Sequence, residues 1–365
     1  MSKVAVSGGG GFLGHHVRAA VLESGETTAT IGLGAGYNET AAAEAVDGAS
    51  QLIHIAGVNR GSDEEVADGN ILFARQLAAS LASARKPPQR VAFANSTQST
   101  TSNVYGTAKS TAADIVASAC ASAGVEFHNV MLPNLFGEHG RPFYNSVTAT
   151  FSHLLATGET PNVQRDQTLT LMHAQNAADL LLGTAPVAAQ QQFETQVTVT
   201  ELLRKLTEIS SIYRGGDIPD IASEFDRDLF NTYRSFTFAK QTPIELTRHA
   251  DARGSFFEII RSRGGSGQFS FSTTEPGISR GDHFHRRKVE RFTVLSGEAE
   301  IKLRRLFTPE VFTFTVTGSA PVAIDMPTMW AHNITNTGME PLLTSFWSND
   351  IFDPSRPDTI AEAVS

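Results

Sequence analysis

At 365 residues the chain is too long for one ordinary hydrophobic core and suits two domains. A net charge of −9 speaks against nucleic acid as the main partner, and no run approaches the roughly 18 uninterrupted apolar residues of a membrane-spanning helix. The single cysteine, Cys120, rules out an internal disulfide and fits a reducing, cytoplasmic setting. So does an N-terminus that runs into Val4-Ala5-Val6 without the charged leader of a signal peptide.

The first 185 residues alternate short apolar runs with helical stretches, as a Rossmann-type, doubly wound parallel α/β sheet does. Val4-Ala5-Val6 reads as the first strand, with further strands at 52–56, 91–94 and 125–131. Ala-rich stretches near 64–84 and 106–123 read as helices, as do 201–206 and 225–236 further on. Beyond Pro243 the texture changes to alternating runs at 269–272, 298–303 and 311–316, the pattern of antiparallel strands with Gly and Pro at the turns. The expected boundary lies near 240, separating a dinucleotide-binding domain over 1–240 from an all-β domain over 243–365.

Gly8-Gly9-Gly10-Gly11-Phe12-Leu13-Gly14 forms G-x2-G-x2-G directly after the first strand and opens a helix. Gly8, Gly11 and Gly14 permit the tight turn, and the amides around Phe12 and Leu13 can reach a pyrophosphate at the helix N-terminus. An acidic ribose ligand is due roughly 20 residues onward, but Ala29-Thr30-Ile31-Gly32-Leu33-Gly34 contains none. With no carboxylate to repel a 2′-phosphate, the expected cofactor is NADP(H), with Arg18 and Arg60 as its sparse basic partners.

Tyr105-Gly106-Thr107-Ala108-Lys109 puts a phenol and an ammonium on one helix face. A lysine there is expected to lower the phenol's pKa and to hold a nicotinamide ribose, while the phenol passes a proton to a carbonyl receiving hydride. Ser96 or Thr97, at a strand end nine or eight residues earlier, would hydrogen-bond the substrate oxygen. These residues resemble an extended short-chain dehydrogenase/reductase. His54-x-Ala56-Gly57 and Asn70 are similar to that family's fourth strand and following helix, which implies Ala56 at the cofactor. The segment from Pro133-Asn134 through Arg141 and Asn145 to Phe151 looks like the family's nucleotide-sugar region, implying Asn134, Arg141 and Asn145 as substrate contacts. The family's usual Asp near 176 is absent, replaced by Ala174-Gln175-Asn176.

Toward the C-terminus, Gly277, His283, His285, Glu290 and Gly297 stand in the frame G-x5-H-x-H-x4-E-x6-G, followed by Pro327, His332 and Asn336 as P-x4-H-x3-N. Three imidazoles and a carboxylate are a ligand set for a borderline divalent metal that keeps a coordination position open. The frame resembles the cupin double motif, with Met329 departing from the usual glycine, and implies a jelly-roll fold.

A second resemblance crosses the first. Asp251-x-Arg253-Gly254-x-Phe256-x-Glu258, then Arg280-Gly281-x-His283-Phe284, looks like dTDP-4-keto-6-deoxysugar 3,5-epimerases. That family implies His283 as general base and Arg253, Glu258 and Arg280 at the nucleotide-sugar. Its acidic tyrosine has no counterpart, since every tyrosine lies at or before 233; Lys288, Lys302 or a metal could take that part. His283 cannot easily be both tight ligand and free base, because ligation occupies its lone pair.

Ala56-Gly57-Val58-Asn59-Arg60, Ser96-Thr97-Gln98, the segment Arg141 to Phe151, and Phe346-Trp347-Ser348-Asn349-Asp350-x-Phe352-Asp353-Pro354 together extend the likeness to essentially the whole chain, which is similar to capsular polysaccharide enzymes of the CapF type and so implies a zinc-type metal in the cupin. That resemblance implies a homodimer acting on a UDP-linked 2-acetamido-2,6-dideoxy-hexos-4-ulose, epimerised at C3 by the cupin domain and reduced at C4 with NADPH, towards UDP-N-acetyl-L-fucosamine. The alternative is a single-activity 4-ketoreductase whose cupin only binds or dimerises.

Overall fold

The structure is a computed structural model that describes residues 2–365. The chain forms two compact units: residues 1–135 with 169–196, and residues 136–168 with 197–365.

The first unit begins with β1 (Lys3–Ser7), whose Val4, Ala5 and Val6 are fully buried. Then come α1 (Phe12–Glu23), β2 (Thr27–Ile31), α2 (Glu39–Val46), β3 (Gln51–His54), α3 (Asp63–Ser83), β4 (Arg90–Ser96), α4 (Val104–Ala123) and β5 (Glu126–Leu132). These five strands make one parallel sheet in the order β2-β1-β3-β4-β5. Two apolar clusters account for its apolar strands. One gathers Ala5, Leu52, Val91 and Phe93 with α3 and α4; the other gathers Val4, Val6, Ile53 and Ala92 with α1. Side chains alternate between faces, so strands covered on both faces read as continuous apolar runs.

Most of the helices start where a side chain caps them. Ser62 and Glu65 form a reciprocal capping box on α3, and Asn103 accepts the Gly106 N–H at 2.7 Å on α4. Helix α1 has no side-chain cap at Gly11, leaving its first-turn amides to other acceptors.

Beyond β5 lie β6 (Asn134–Phe136), α5 (Val147–Thr157), β7 (Thr168–His173), α6 (Ala174–Leu182), β8 (Glu194–Thr198), α7 (Val199–Arg214) and α8 (Glu224–Gln241). Strands β6, β7 and β8 form a small separate sheet. After α8 the regular elements are all strands: β9 (Ile244–Glu245), β10 (Arg248–Asp251), β11 (Gly254–Phe257), β12 (Gln268–Thr274), β13 (Ser279–Phe284), β14 (Glu290–Ser296), β15 (Glu298–Arg305), β16 (Val311–Thr317), β17 (Val322–Met326), β18 (Trp330–Asn336), β19 (Leu342–Ser348) and β20 (Ile360–Ala361).

Ten of these strands form two antiparallel five-stranded sheets, β12-β19-β14-β17-β9 and β16-β15-β18-β13-β20, a jelly-roll. The strand residues that alternate inward, Phe292, Val294, Ile301, Leu303, Ile324, Met326, Trp330 and Ile334, make the core, and Phe238 of α8 joins it. The Rossmann-type sheet and antiparallel strands expected from the patterning, and the jelly-roll that the cupin-like frame implies, are all present.

Candidate functional site

In the first unit, the sheet order places β1 between β2 and β3, so the chain leaves β1 to one side and later returns on the other. That reversal opens a crevice at the C-terminal strand ends, where doubly wound folds bind ligands. Gly8 (φ 77°) ends β1 there, and a Cβ on it would lie 2.7 Å from the Ala56 nitrogen beyond β3. Gly14 is tighter still, since its Cβ would meet the Gly8 carbonyl at 2.2 Å. Gly11 donates its N–H to Gly8 O at 3.0 Å, closing the turn before α1. The uncapped amides of α1 and the lack of side chains in this loop make an anion-binding surface.

Around the loop, the Arg18 side chain lies against Gly9, its Cδ 3.4 Å from where a Cβ would sit, and burial lowers its guanidinium's pKa. Arg60 lines a cleft of about 760 Å³ together with Asn59, Gln98, Asn103 and Tyr105. Asn70 clamps the loop after β3, bonding both the N–H and the carbonyl of Val58.

Tyr105 opens α4, and the hydroxyl that reaches its phenol is that of Ser96. Burial raises the Tyr105 pKa, and the Ser96 hydrogen bond only partly offsets this. The expected lowering by Lys109 is therefore not seen. Lys109 is buried, donates to the Ala94 carbonyl at 2.7 Å and lies over the Phe93 ring, so burial lowers its own pKa to about 8. His54 sits nearby, bonded to Ser7 Oγ at 2.6 Å. Burial first, and the Lys109 charge second, push it down to about 3, so it stays neutral. Gly106 lies between the dyad partners because a Cβ there would strike Gln98 O at 2.2 Å.

The expected substrate contacts are distributed as follows. Asn134 begins β6 and faces Thr170 O at 3.5 Å; Arg141 stacks on the Tyr144 ring at 4.9 Å; Asn145 takes a left-handed conformation, φ 53°.

In the second unit, antiparallel register assembles the histidine cluster. Strand β13 pairs His283 directly opposite His332 of β18. A bulge precedes His283 at Gly281, whose φ of 114° and approach to His332 O, 2.6 Å from a Cβ, admit only glycine. This is the physical reason for the glycine of the Arg280-Gly281-x-His283 string. The ligating atoms of His283, His285, Glu290 and His332 all lie within 4.8 Å of one another.

The donor chemistry fits a divalent ion. Nδ1 of His285 meets the Asp358 carbonyl and Nδ1 of His332 meets the Trp330 carbonyl at 3.1 Å, which directs both Nε2 atoms toward Glu290 Oε2, at 3.1 and 3.4 Å. The His332 Nε2 is buried and makes no well-formed hydrogen bond there. Burial, then the neighbouring His332 and His285, lower the His283 pKa to about 4, leaving it neutral. Burial opposes charge on His285, but Glu290 outweighs it and raises its pKa. Burial would likewise raise Glu290, yet His285 and His332 hold it well below the usual carboxylate range.

The other expected residues of this unit do not join the cluster through their hydrogen bonds. Arg253, exposed on the β10–β11 turn, pairs with Asp251 at 2.6 Å, and Glu258 pairs with Arg261 at 2.6 Å. Arg280 bonds Thr274 Oγ1 and Thr273 O. Sequence reasoning missed the groups that hold the cluster's framework. Arg291, next to Glu290, forms a buried two-point ion pair with Asp325, which also accepts the Tyr213 hydroxyl at 2.9 Å. Asp358, near the C-terminus, holds the turn after His285. No local pattern marks either one, because their partners lie 34 and about 70 residues away in the chain.

Two family models match different parts of the chain. The NAD dependent epimerase/dehydratase family matches residues 4–192, and the polysaccharide biosynthesis C-terminal domain matches residues 249–360. UDP-2-acetamido-2,6-beta-L-arabino-hexul-4-ose reductase of Pseudomonas aeruginosa is 30% identical over 372 residues, covering 99% of both chains. Spore coat polysaccharide biosynthesis protein SpsL of Bacillus subtilis is 25% identical over 123 residues, 31% of this chain and 82% of its own. The crystal structure of capsular polysaccharide assembling protein CapF from Staphylococcus aureus is similar with a TM-score of 0.60 at 28% identity, covering 99% of this chain and 100% of that one.

Proposed function

The chain belongs to the NAD dependent epimerase/dehydratase family, in the CapF-type arrangement with a C-terminal jelly-roll, and from that premise we propose a bifunctional nucleotide-sugar enzyme of surface polysaccharide synthesis. Its substrate is a UDP-linked 2-acetamido-2,6-dideoxy-hexos-4-ulose. Residues 243–365 epimerise it at C3, and residues 1–240 reduce the C4 ketone with NADPH, towards UDP-N-acetyl-L-fucosamine. The 4-keto group acidifies the C3 proton, and reduction draws an otherwise near-balanced epimerisation forward. The protein works in the cytoplasm as a homodimer.

For reduction, Ser96 and Tyr105 hydrogen-bond the substrate oxygen. The raised Tyr105 pKa keeps the phenol protonated, ready to donate as hydride arrives. Lys109 bonds the ribose, and the Gly8–Gly14 turn with Ala56 and Arg60 frames the cofactor. Selection of NADP(H) rests on Arg18 beside Gly9 and on the missing acid after β2. Asn134, Arg141 and Asn145 contact the nucleotide-sugar.

The observation that carries the epimerase half is the convergence of His283, His285, Glu290 and His332. These residues would hold a divalent ion, zinc by donor type, which when bound supplies positive charge for an enolate oxygen. With His285, Glu290 and His332 as ligands, neutral His283 keeps a lone pair to take the C3 proton. Arg253, Glu258 and Arg280 contact the nucleotide.

One observation favours a narrower reading: Arg253 and Glu258 are bound to Asp251 and Arg261, which suits a cupin that only binds. Incubating the UDP-linked 4-keto-6-deoxy-N-acetylhexosamine with the protein in D2O, without nicotinamide, separates the two by NMR. Deuterium at C3 is expected. No exchange above a protein-free control leaves a plain 4-ketoreductase.

A further inference from the structure

The end of the chain is built into the histidine cluster. Asp358 takes the left-handed conformation (φ 41°), and its carboxylate accepts three successive backbone N–H groups: Arg286 at 2.9 Å, Arg287 at 2.9 Å and Lys288 at 2.7 Å. Its own carbonyl meets Nδ1 of His285. Lys288 closes the loop from the other side, donating to Pro357 O at 3.0 Å. The next residues form β20, which pairs Ala361 with His283 and Ile360 with Phe284. Arg304 then anchors the tail through Val364 O and Glu362. One short C-terminal strap therefore touches both histidines of the H-x-H pair and the turn that leads to Glu290.

The chemistry of these contacts is specific. A carbonyl on Nδ1 requires a proton there, so Nε2 is the nitrogen turned to Glu290: it donates to that carboxylate when protonated and offers its lone pair to an ion when neutral. The three N–H groups belong to a tight turn whose Arg286 and Lys288 are largely buried. Without the carboxylate they would be left unpaired, at a cost that favours opening the turn. Opening it changes the separation of His285 and Glu290, which are held only five residues apart.

We propose that Asp358 is a positioning residue of the ion site: its carboxylate shapes the 286–288 turn and its carbonyl orients His285, so the C-terminal strap sets the site's affinity. The inference rests on the reading that the cluster binds a divalent ion.

The test measures Zn²⁺ and Co²⁺ affinity of the full-length protein by chelator competition, with the Co²⁺ absorption spectrum and the thermal melt of the metal-free form. Losing a partner that orients a ligand weakens such sites by about 10–100-fold. Asp358→Ala is expected to fall in that range with an altered Co²⁺ spectrum, and Asp358→Asn, which keeps one acceptor oxygen, to lie between it and the parent. Asp353→Ala serves as control, because that carboxylate bonds only Ser355; it should leave affinity unchanged. If Asp358→Ala does not fold, Asp358→Asn carries the comparison. Parental affinity and spectrum in a folded Asp358 variant overturn the proposal, whatever happens to the melt. A parent protein that takes up no stoichiometric ion sinks the metal reading instead, independently of Asp358.

Discussion

The two candidate sites are made by opposite means. In the parallel-sheet unit the site lies at strand ends, where Gly8, Gly14 and Gly106 matter for the side chains they lack. In the jelly-roll it lies on strand faces, where His283 and His332 meet because register pairs them. The first design clears space so that backbone amides can approach a ligand; the second brings four donors together within a pairing already made. A site made by cleared space reads as a compact string, whereas a site made by register depends on how the whole sheet closes.

Exchanging single groups should break the comparison most sharply. Loss of a general acid costs about 10²–10⁴-fold in rate. Tyr105→Phe is therefore expected to lower C4 reduction by that factor and leave C3 deuterium exchange untouched. His283→Asn should do the reverse. Parallel losses in both assays would mean that the two units do not hold separate chemistries.

Next in size are the glycines. Gly14→Ala forces a Cβ to 2.2 Å from the Gly8 carbonyl, and Gly281→Ala to 2.6 Å from His332 O at φ 114°. Each should destabilise its unit by about 2–4 kcal/mol. Calorimetry with ligands tells them apart: the first should lose NADPH binding and keep Zn²⁺, the second the converse.

The pH dependence should differ as well. The Lys109 ammonium is held at about 8, below its ordinary 10.5, by burial. kcat/KM for reduction is then expected to fall as pH rises through about 8. The folded state binds fewer protons there than the unfolded state, so stability attributable to Lys109 rises from about pH 8 to 10.5, by on the order of 3 kcal/mol. A flat profile in Lys109→Met, against a sloping parent, is the check. Smallest is Asn103→Ala, which removes the cap of α4 and should cost about 1 kcal/mol, with reduction disturbed more than ion affinity.

Much of both sites was legible beforehand. The glycine turn, Tyr105 and Lys109 lie within short strings, and the spacings of His283, His285, Glu290 and His332 mark a ligand set without any structure. Where Lys109 points was not legible: it donates to Ala94 O, 15 residues earlier, and so does not lower the Tyr105 pKa. Nor were Asp358 and the Arg291–Asp325 pair, since a carboxylate that accepts backbone N–H groups about 70 residues away has no sequence period.

By itself, then, the sequence determined the classes of element, the change from parallel to antiparallel texture, and the residue types at both sites. Those are local properties, governed by side-chain alternation, glycine's steric freedom and donor chemistry. Only the tertiary structure decided which hydroxyl meets Tyr105, how burial sets the pKa values of Tyr105, Lys109 and Glu290, and that the chain's last residues orient His285. Each depends on distance and exclusion of water, which arise when segments far apart in the chain are packed together.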